Sequence, residues 1–506
     1  MESSKGVPRP RPVLVLDGRS LTCADVVAAA HGRRQVELAD GVLERVSAAH
    51  ERSVELGASR HVYGRTTGVG ANKDVTVGDP GSAHVLALLR SHATTSGRRR
   101  SDERVRGTLV VRLHQLAAGA SGVSAEVVEA LLGMVAADAL PVVRELGSVG
   151  TGDLAPLAAA ALTLSGETVT SPPVPRTVAF TVHDALPFLS SSAATVADSA
   201  LAQQQLDRLA RAAVVVAALT CTAVGGNPEA FSEPVEARSP FAGARQVCRW
   251  LRSLVDTSLP GLRLQDPYGL RTLPQVHGTL VDALDHLAAV IEGVANHPAE
   301  NPMVVVHDGA VDPARDIPHN GAFALAPLAT ALDTARSAVV QAAQLSLTRL
   351  TLLDDPAFTG LPPFLSDGTA GSSGVMPVEY VAASALAQLR LVATPVATQT
   401  VVLSRGAEDD ASFASTGALA ALDAVGGVRA VLACELVAAV RALRMQRSAD
   451  PPRTPVPPSL QRVLDSCRSL PDDVSDRDLT GDLDVAAGLL DGLAGLLPPA
   501  GRVDAR

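Results

Sequence analysis

Six stretches beyond residue 190 set the terms for this chain. They span about 192–222, 239–257, 275–296, 322–353, 376–400 and 414–446, and each carries alanine and leucine on more than one helical face. A helix that is apolar nearly all round must be buried on several sides. The pattern therefore predicts a mainly α fold, an elongated bundle of long, parallel-running helices. Shorter helices are predicted before it. One starts at Ser20-Leu21-Thr22, and a second carries the stripe Val36, Leu38, Val42, Leu43 and Val46. Others cover about 85–92, 103–118, 124–139 and 154–165, and 168–190 reads as irregular connection. With 506 residues the length prior is about three domains, although a long helical protein can be one body. The organisation expected is a flexible arm (1–12), an N-terminal part (13–200), a central long-helix bundle (201–449), a proline-rich linker (450–458) and a helical tail (459–506).

Composition excludes several functions. The formal net charge of −10 argues against nucleic acid as a partner, and 2% aromatic content leaves few stacking platforms. The run Arg98-Arg99-Arg100 with Arg104 and Arg106 reads as a solvated loop. Five scattered cysteines with no CxxC spacing argue against disulfides and a thiolate metal site, and so for the cytoplasm. The polar N-terminus has no secretory apolar region. The apolar run Ala212 to Gly226 has 15 residues, short of the roughly 20 needed to span a bilayer, so no membrane partner is expected.

Two glycine-rich stretches interrupt the helical pattern. Gly147-Ser148-Val149-Gly150-Thr151-Gly152-Asp153-Leu154 is a tight turn feeding a helix, with Asp153 placed to cap it. Such a turn aims free N–H groups and the positive end of a helix dipole at whatever it faces. No Lys-Ser/Thr pair follows the glycines, so it is not a phosphate loop, and no nucleotide is expected. The second stretch, His61 to Gly70, holds Tyr63, one of only three tyrosines in the chain. It reads either as a mobile loop presenting a phenol or as a packed loop tyrosine. His92 ends an apolar helix, where a lone histidine is usually structural.

Several of these motifs together resemble the histidine and phenylalanine ammonia-lyase family. The turn at 147–158 is similar to the family signature Gly-Ser-Val-Gly-Ala-Ser-Gly-Asp-Leu-Ala-Pro-Leu-Ala. The family's Ala-Ser-Gly cyclises to a methylidene-imidazolone electrophile (MIO). Val62-Tyr63-Gly64-Arg65-Thr66-Thr67-Gly68 resembles the loop bearing the catalytic base, and Leu88-Leu89-Arg90-Ser91-His92-Ala93 the stretch with a substrate-binding histidine. Leu264-Gln265-Asp266-Pro267-Tyr268-Gly269-Leu270-Arg271 is the closest match. It puts Gln265, Tyr268 and Arg271 on active-site positions, Arg271 being the residue that grips the substrate carboxylate. Ala407-Glu408-Asp409-Asp410-Ala411-Ser412 resembles Gln-Glu-Asp-His-Val-Ser and places Glu408 on the active-site glutamate. The likeness spans about 15–500 and implies the fumarase/aspartase-like fold, an ammonia-lyase or aminomutase activity on a histidine-like or other aromatic or polar amino acid, and a homotetramer with shared sites.

The chain also departs from the family. Where the family has Ala-Ser-Gly, two residues stand between Gly150 and Asp153, so Gly150-Thr151-Gly152 is the only candidate for a self-made electrophile. Leu-Ile-Asn-Gly-Thr becomes Leu189-Ser190-Ser191-Ser192, so an amide near the prosthetic group becomes a hydroxyl, with Ser190 as the implied contact. Gly-Asn-Phe-His-Gly becomes Gly321-Ala322-Phe323-Ala324-Leu325, keeping Phe323 and losing an asparagine and a histidine. The implied catalytic set is Tyr63, Gly150, Thr151, Gly152 and Glu408. His92, Ser190, Gln265, Tyr268, Arg271 and Phe323 are the implied substrate contacts, with no metal. A phenol of ordinary pKa about 10 needs help to act as a base. Arg65 and the dipole of the helix at 154 are the groups expected to supply it. Two alternatives stay open: an electrophile-independent relative running another elimination, addition or isomerisation in specialised metabolism, and a silent homologue serving as a binding or scaffold subunit.

Overall fold

Two short strands, β1 (Val13–Leu16) and β2 (Gln35–Leu38), pair in parallel with Leu14 opposite Val36 and Leu16 opposite Leu38. Val36 and Leu38 were expected on a helix. The same two residues also obey a period of two, and the crossover helix Cys23–Ala30 delivers them to the edge of β1. Thr22 and Asp25 close a capping box at the start of that crossover, as the sequence at 20–22 predicts. The next helix, Val42–Ser59, begins only after Gly41, whose φ of +75° ends the strand. The structure, a computed structural model, describes residues 11–77, 81–309, 311–449 and 455–499. Most of the arm at 1–12 and of the proline-rich linker lies outside the described residues.

The chain forms two compact units. The first takes the described residues up to Leu201, with Ala288–Thr330 and Pro395–Leu419. Its core is built on the helix Asp102–Ala117, buried along most of its length and packed on Cys23–Ala30 and Ala125–Ala136. Ala49, Leu56, Val62, Val304 and Ile317 make a smaller cluster that anchors the start of the tyrosine loop. Antiparallel β3 (Ser96–Arg99) and β4 (Arg144–Leu146) lead into the glycine turn. Arg100 and Arg104 converge on buried Asp198 at 2.5 and 2.8 Å, so part of the arginine run is structural rather than solvated.

The second unit takes Ala202–Leu287, Ala331–Thr394 and the described residues from Ala420. The greater part of each predicted long helix is there, Ala193–Ala223, Leu273–Ala295, Ala326–Asp354 and Ala414–Ser448 each having one end in the first unit. The helix expected over 376–400 ends at Val392, because Pro395 disfavours helical backbone just before it and Arg336 binds the Val392 and Thr394 carbonyls. Residues 239–257 start late, at Ala242, after Ser239-Pro240. Ala414–Ser448 is long and apolar enough to cross a membrane by length and composition alone, but it carries Glu435, fully buried and ion-paired to Arg349 at 2.6 Å. Thr220 and Ser346 donate to the remaining lone pairs of that carboxylate at 2.8 and 2.5 Å. A buried pair satisfied in this way fixes the helix register; removing one partner costs about 3–5 kcal/mol.

Candidate active site

A cavity of about 790 Å³ lies wholly within the first unit. Its walls come from the tyrosine loop, the glycine turn, the segment Leu186–Ser191 and the acidic loop at 403–410, with His92, Asn301, His319 and Phe323 completing them. Tyr63, His92, Thr151, Gly152, Ser190, Phe323 and Glu408 all line it.

The tyrosine loop is packed and internally bonded. Val62 is fully buried, and a Cβ on Gly64 (φ +67°) would strike Leu186 at 1.9 Å. The Gly70 amide donates to the Tyr63 phenol oxygen at 2.8 Å, and the Tyr63 amide donates to His319 Nε2 at 3.2 Å. Burial lowers the His319 pKa, helped by Arg60 and Arg65, which keeps the ring neutral as an acceptor must be. The expected lowering of the Tyr63 pKa is not found. Burial raises it, the Gly70 amide works against the rise, and the Glu408 carboxylate adds to it. Arg65 cannot help, because its buried guanidinium donates to Ser53 Oγ and to the Ser121 carbonyl (3.1 Å).

His92 ends the helix Ser82–His92, and its Nδ1 lies 2.9 Å from the Leu88 carbonyl. A carbonyl only accepts, so Nδ1 carries a proton, which leaves Nε2 as the ring nitrogen available to a ligand. Glu408 is held by a short antiparallel bridge to Leu403, whose amide donates to the Glu408 carbonyl at 2.7 Å. Asp409, Asp410 and Asp74 join Glu408 on the cavity wall, with Lys73 as the lysine there.

In the glycine turn, Asp153 stands at the N-cap of Leu154–Leu164 but makes no capping bond. Its buried carboxylate turns inward and accepts from the Thr195 amide (2.7 Å), the Thr195 hydroxyl (3.0 Å) and Ser148 Oγ (2.7 Å). Its own amide donates to the Ser191 carbonyl at 2.6 Å. The side chain that sequence assigns to a cap thus ties the turn to the helix Ala193–Ala223. Segment 412–415 holds the other side: the Phe413 amide donates to the Val149 carbonyl (2.9 Å), Ser412 Oγ to the Gly150 carbonyl (3.1 Å) and Ser415 Oγ to the Ser148 carbonyl (3.0 Å). Gly150 has φ +97°, and a Cβ there would meet Ser412 Oγ at 2.2 Å and the Phe413 nitrogen at 2.7 Å.

This arrangement suits a cyclising triad. Ring closure needs a glycine amide able to reach the carbonyl two residues back, and a central side chain with a β-hydroxyl to lose. Among the described residues the Gly152 amide donates to no acceptor, Thr151 supplies the hydroxyl, and the Gly150 carbonyl is polarised by Ser412. Alanine, the family's first triad residue, is excluded at 150 by the contact with Ser412.

Gln265, Tyr268 and Arg271 belong to the second unit and do not line the cavity. They form a group of their own. Arg271 donates to Gln265 Oε1 at 2.7 Å and stacks on the Tyr268 ring at 4.6 Å, while Tyr268 is 66% exposed. Asn320 is held by the Glu300 carbonyl and by Asn301, and it is Asn301 that presents an amide on the cavity wall. Asn301, Ser191, His319 and Ser412 were all missed from sequence, because their place at the site depends on loops that meet only in three dimensions. Among the described residues no group of three His, Cys, Asp or Glu side chains is placed to hold a metal.

Residues 21–469 match the family model described as aromatic amino acid lyase. The histidine ammonia-lyase of Symbiobacterium thermophilum is 34% identical over 447 residues, covering 84% of this chain and 87% of that one. Two solved structures share the fold. Ergothionase from Treponema denticola has a TM-score of 0.88 at 23% identity, covering 96% of this chain and 99% of that one. The tyrosine aminomutase of Streptomyces globisporus also has a TM-score of 0.88, at 24% identity, covering 98% and 100%. With the match running through the glycine turn, the tyrosine loop and the acidic loop alike, the chain belongs to the aromatic amino acid lyase family.

Proposed function

We propose that this enzyme eliminates ammonia from, or isomerises, an α-amino acid with a polar, histidine-like side chain. One observation carries the reading: Tyr63, His92, Thr151-Gly152 and Glu408, which come from four separate segments, line one cavity. Tyr63 removes the proton from the carbon β to the substrate carboxylate. Glu408 and His92 Nε2 receive the polar side chain or the departing amine, and the surplus of carboxylates over Lys73 favours a cationic or hydrogen-bond-donating substrate. Ser190, whose Oγ accepts from the Asn301 amide at 3.0 Å, and Phe323 shape the floor.

Gly150-Thr151-Gly152 holds the prosthetic group in this reading. When formed, that group supplies an electrophile that makes the substrate amine a leaving group, and it differs from the family's in bearing the threonine methyl. Arg271 pairs the substrate carboxylate in a charge-assisted contact, with Gln265 and Tyr268 beside it. These three serve the cavity of another subunit in a homotetramer. The exposed Tyr268 ring, braced by half-buried Arg271, supports that arrangement. A cytoplasmic setting agrees with five buried cysteines, none of them in a disulfide.

The test is turnover. Histidine and its polar analogues, with phenylalanine and tyrosine, are incubated with the enzyme while the near-UV absorbance of a conjugated acid and release of ammonia are followed. A β-amino acid product signals isomerisation. Turnover of phenylalanine or tyrosine in preference to every polar substrate overturns the substrate assignment.

A further inference from the structure

The residue that faces the triad most closely is one that the catalytic reading leaves without a task. Ser412 Oγ lies 3.1 Å from the Gly150 carbonyl oxygen, and its hydrogen-bond directions are fixed. The Ala414 amide donates to Ser412 Oγ at 3.4 Å, so the hydroxyl proton is free to go to Gly150. Ser412 also stands two residues before the 35-residue helix Ala414–Ser448, whose positive end adds to the field at that carbonyl. Charge collects on this oxygen when the ring closes.

We propose that Ser412 is the catalytic residue of prosthetic-group formation, donating its hydroxyl proton in a hydrogen bond to the Gly150 oxygen as the Gly152 nitrogen attacks. This rests on the electrophile reading above. In the attack a C–N bond forms between Gly152 N and Gly150 C, and the carbonyl π pair moves to the oxygen that Ser412 holds. The Gly152 amide proton ends on that oxygen, giving a carbinol. Loss of this hydroxyl with the Thr151 amide proton leaves a C=N bond and one water. Loss of the Thr151 Cα proton with its β-hydroxyl leaves a C=C bond and a second water. No electrons are gained or lost, so no oxidant is required. Ser412 acts as an oxyanion donor, and removing one such donor elsewhere slows acyl chemistry by about 10²–10³-fold.

The experiment follows intact mass after cell-free synthesis of the full chain. The wild type should fall below its sequence mass by two waters and gain the absorbance of a conjugated imidazolone. Ser412→Ala should close at least about a hundredfold more slowly, with a far-UV spectrum like that of the wild type. Ser412→Thr, which keeps the hydroxyl, should close at close to the wild-type rate. Ser415→Ala is the control. It removes a bond to the same turn, at the Ser148 carbonyl outside the ring, and should close normally. Closure of Ser412→Ala at the wild-type rate overturns the proposal alone. A wild type that keeps its full sequence mass overturns the electrophile reading, and this proposal with it. Should Ser412→Ala not fold, Ser412→Cys decides: a weak donor of similar shape should slow closure, and wild-type closure overturns the proposal.

Discussion

The Ala71 amide donates to Ser404 Oγ at 2.8 Å, fastening the loop that carries Tyr63 to the loop that carries Glu408. Around this bond neither loop is deeply packed: Ala71 and Ser404 are half-buried and Arg405 is exposed. Ser404→Ala should lower kcat/KM about tenfold, the worth of one hydrogen bond of roughly 1.4 kcal/mol. The loss should fall mainly on kcat, because the base and the carboxylate lose their mutual alignment. Steady-state kinetics checks this, with thermal melting expected to stay within about 2 °C for a chain of this size.

Tyr63 must lose its proton to act as the base, and burial holds its pKa above the ordinary value of about 10. The rate should therefore still rise with pH on the alkaline side. Glu408→Gln removes a charge that adds to the rise, so the residual activity should climb at lower pH than in the wild type. Tyr63→Phe should cost at least about 10²-fold in kcat with the fold intact. A pH–rate profile of the three proteins checks the set; an unshifted Glu408→Gln profile would show that the carboxylate does not act on the phenol.

If Arg271 serves a neighbour's cavity, two inactive proteins should rescue each other. Tyr63→Phe and Arg271→Ala homo-oligomers should each be nearly inactive. Mixed oligomers, refolded or co-expressed, should regain a substantial part of the activity, because some of their sites hold both intact residues. Activity in the mixture that stays at the sum of the parents would place Tyr63 and Arg271 in the same subunit's site or in none.

His277 is fully buried beside Arg349, and burial with that cation drives its pKa down to about 3. The unfolded chain binds a proton near pH 6.5 that the folded chain refuses. Proton uptake by the unfolded state therefore draws stability away as pH falls from about 6.5 towards 3, and above that window the effect vanishes. Urea denaturation at pH 7 and pH 5 should show the loss in the wild type. His277→Gln should show a smaller difference between the two pH values, whatever its absolute stability.

The long helices were legible because burial on several sides leaves apolar residues on several faces, as in Ala193–Ala223 and Ala414–Ser448. Their ends were less so where proline acts at a distance of two or three residues, as at Val392. The parallel pairing of β1 and β2 was hidden, since Val36 and Leu38 satisfy a strand's spacing as well as a helix's. At the site, Tyr63, His92 and Glu408 could be found because a local motif surrounds each. Asp153 shows the opposite case. Its position promised a cap, but its carboxylate was claimed by Thr195, 42 residues away. No local pattern reports a partner so far along the chain; Asn301 was missed for the same reason, and Ser412, although it ends the 407–412 motif, gave no sign of its contact with Gly150.

The contact between Gly150 and Ser412 makes two positions 262 residues apart into a single inherited character. Placing alanine at 150 would drive a methyl group into Ser412 Oγ. Trimming residue 412 first would strip the carbonyl of its donor. The same methyl would also meet the Phe413 nitrogen at 2.7 Å, so shortening the side chain at 412 does not by itself make room for it, and the 412–413 backbone would have to move with the turn. Engineering the common triad into this scaffold means rebuilding the 412–413 backbone together with the turn.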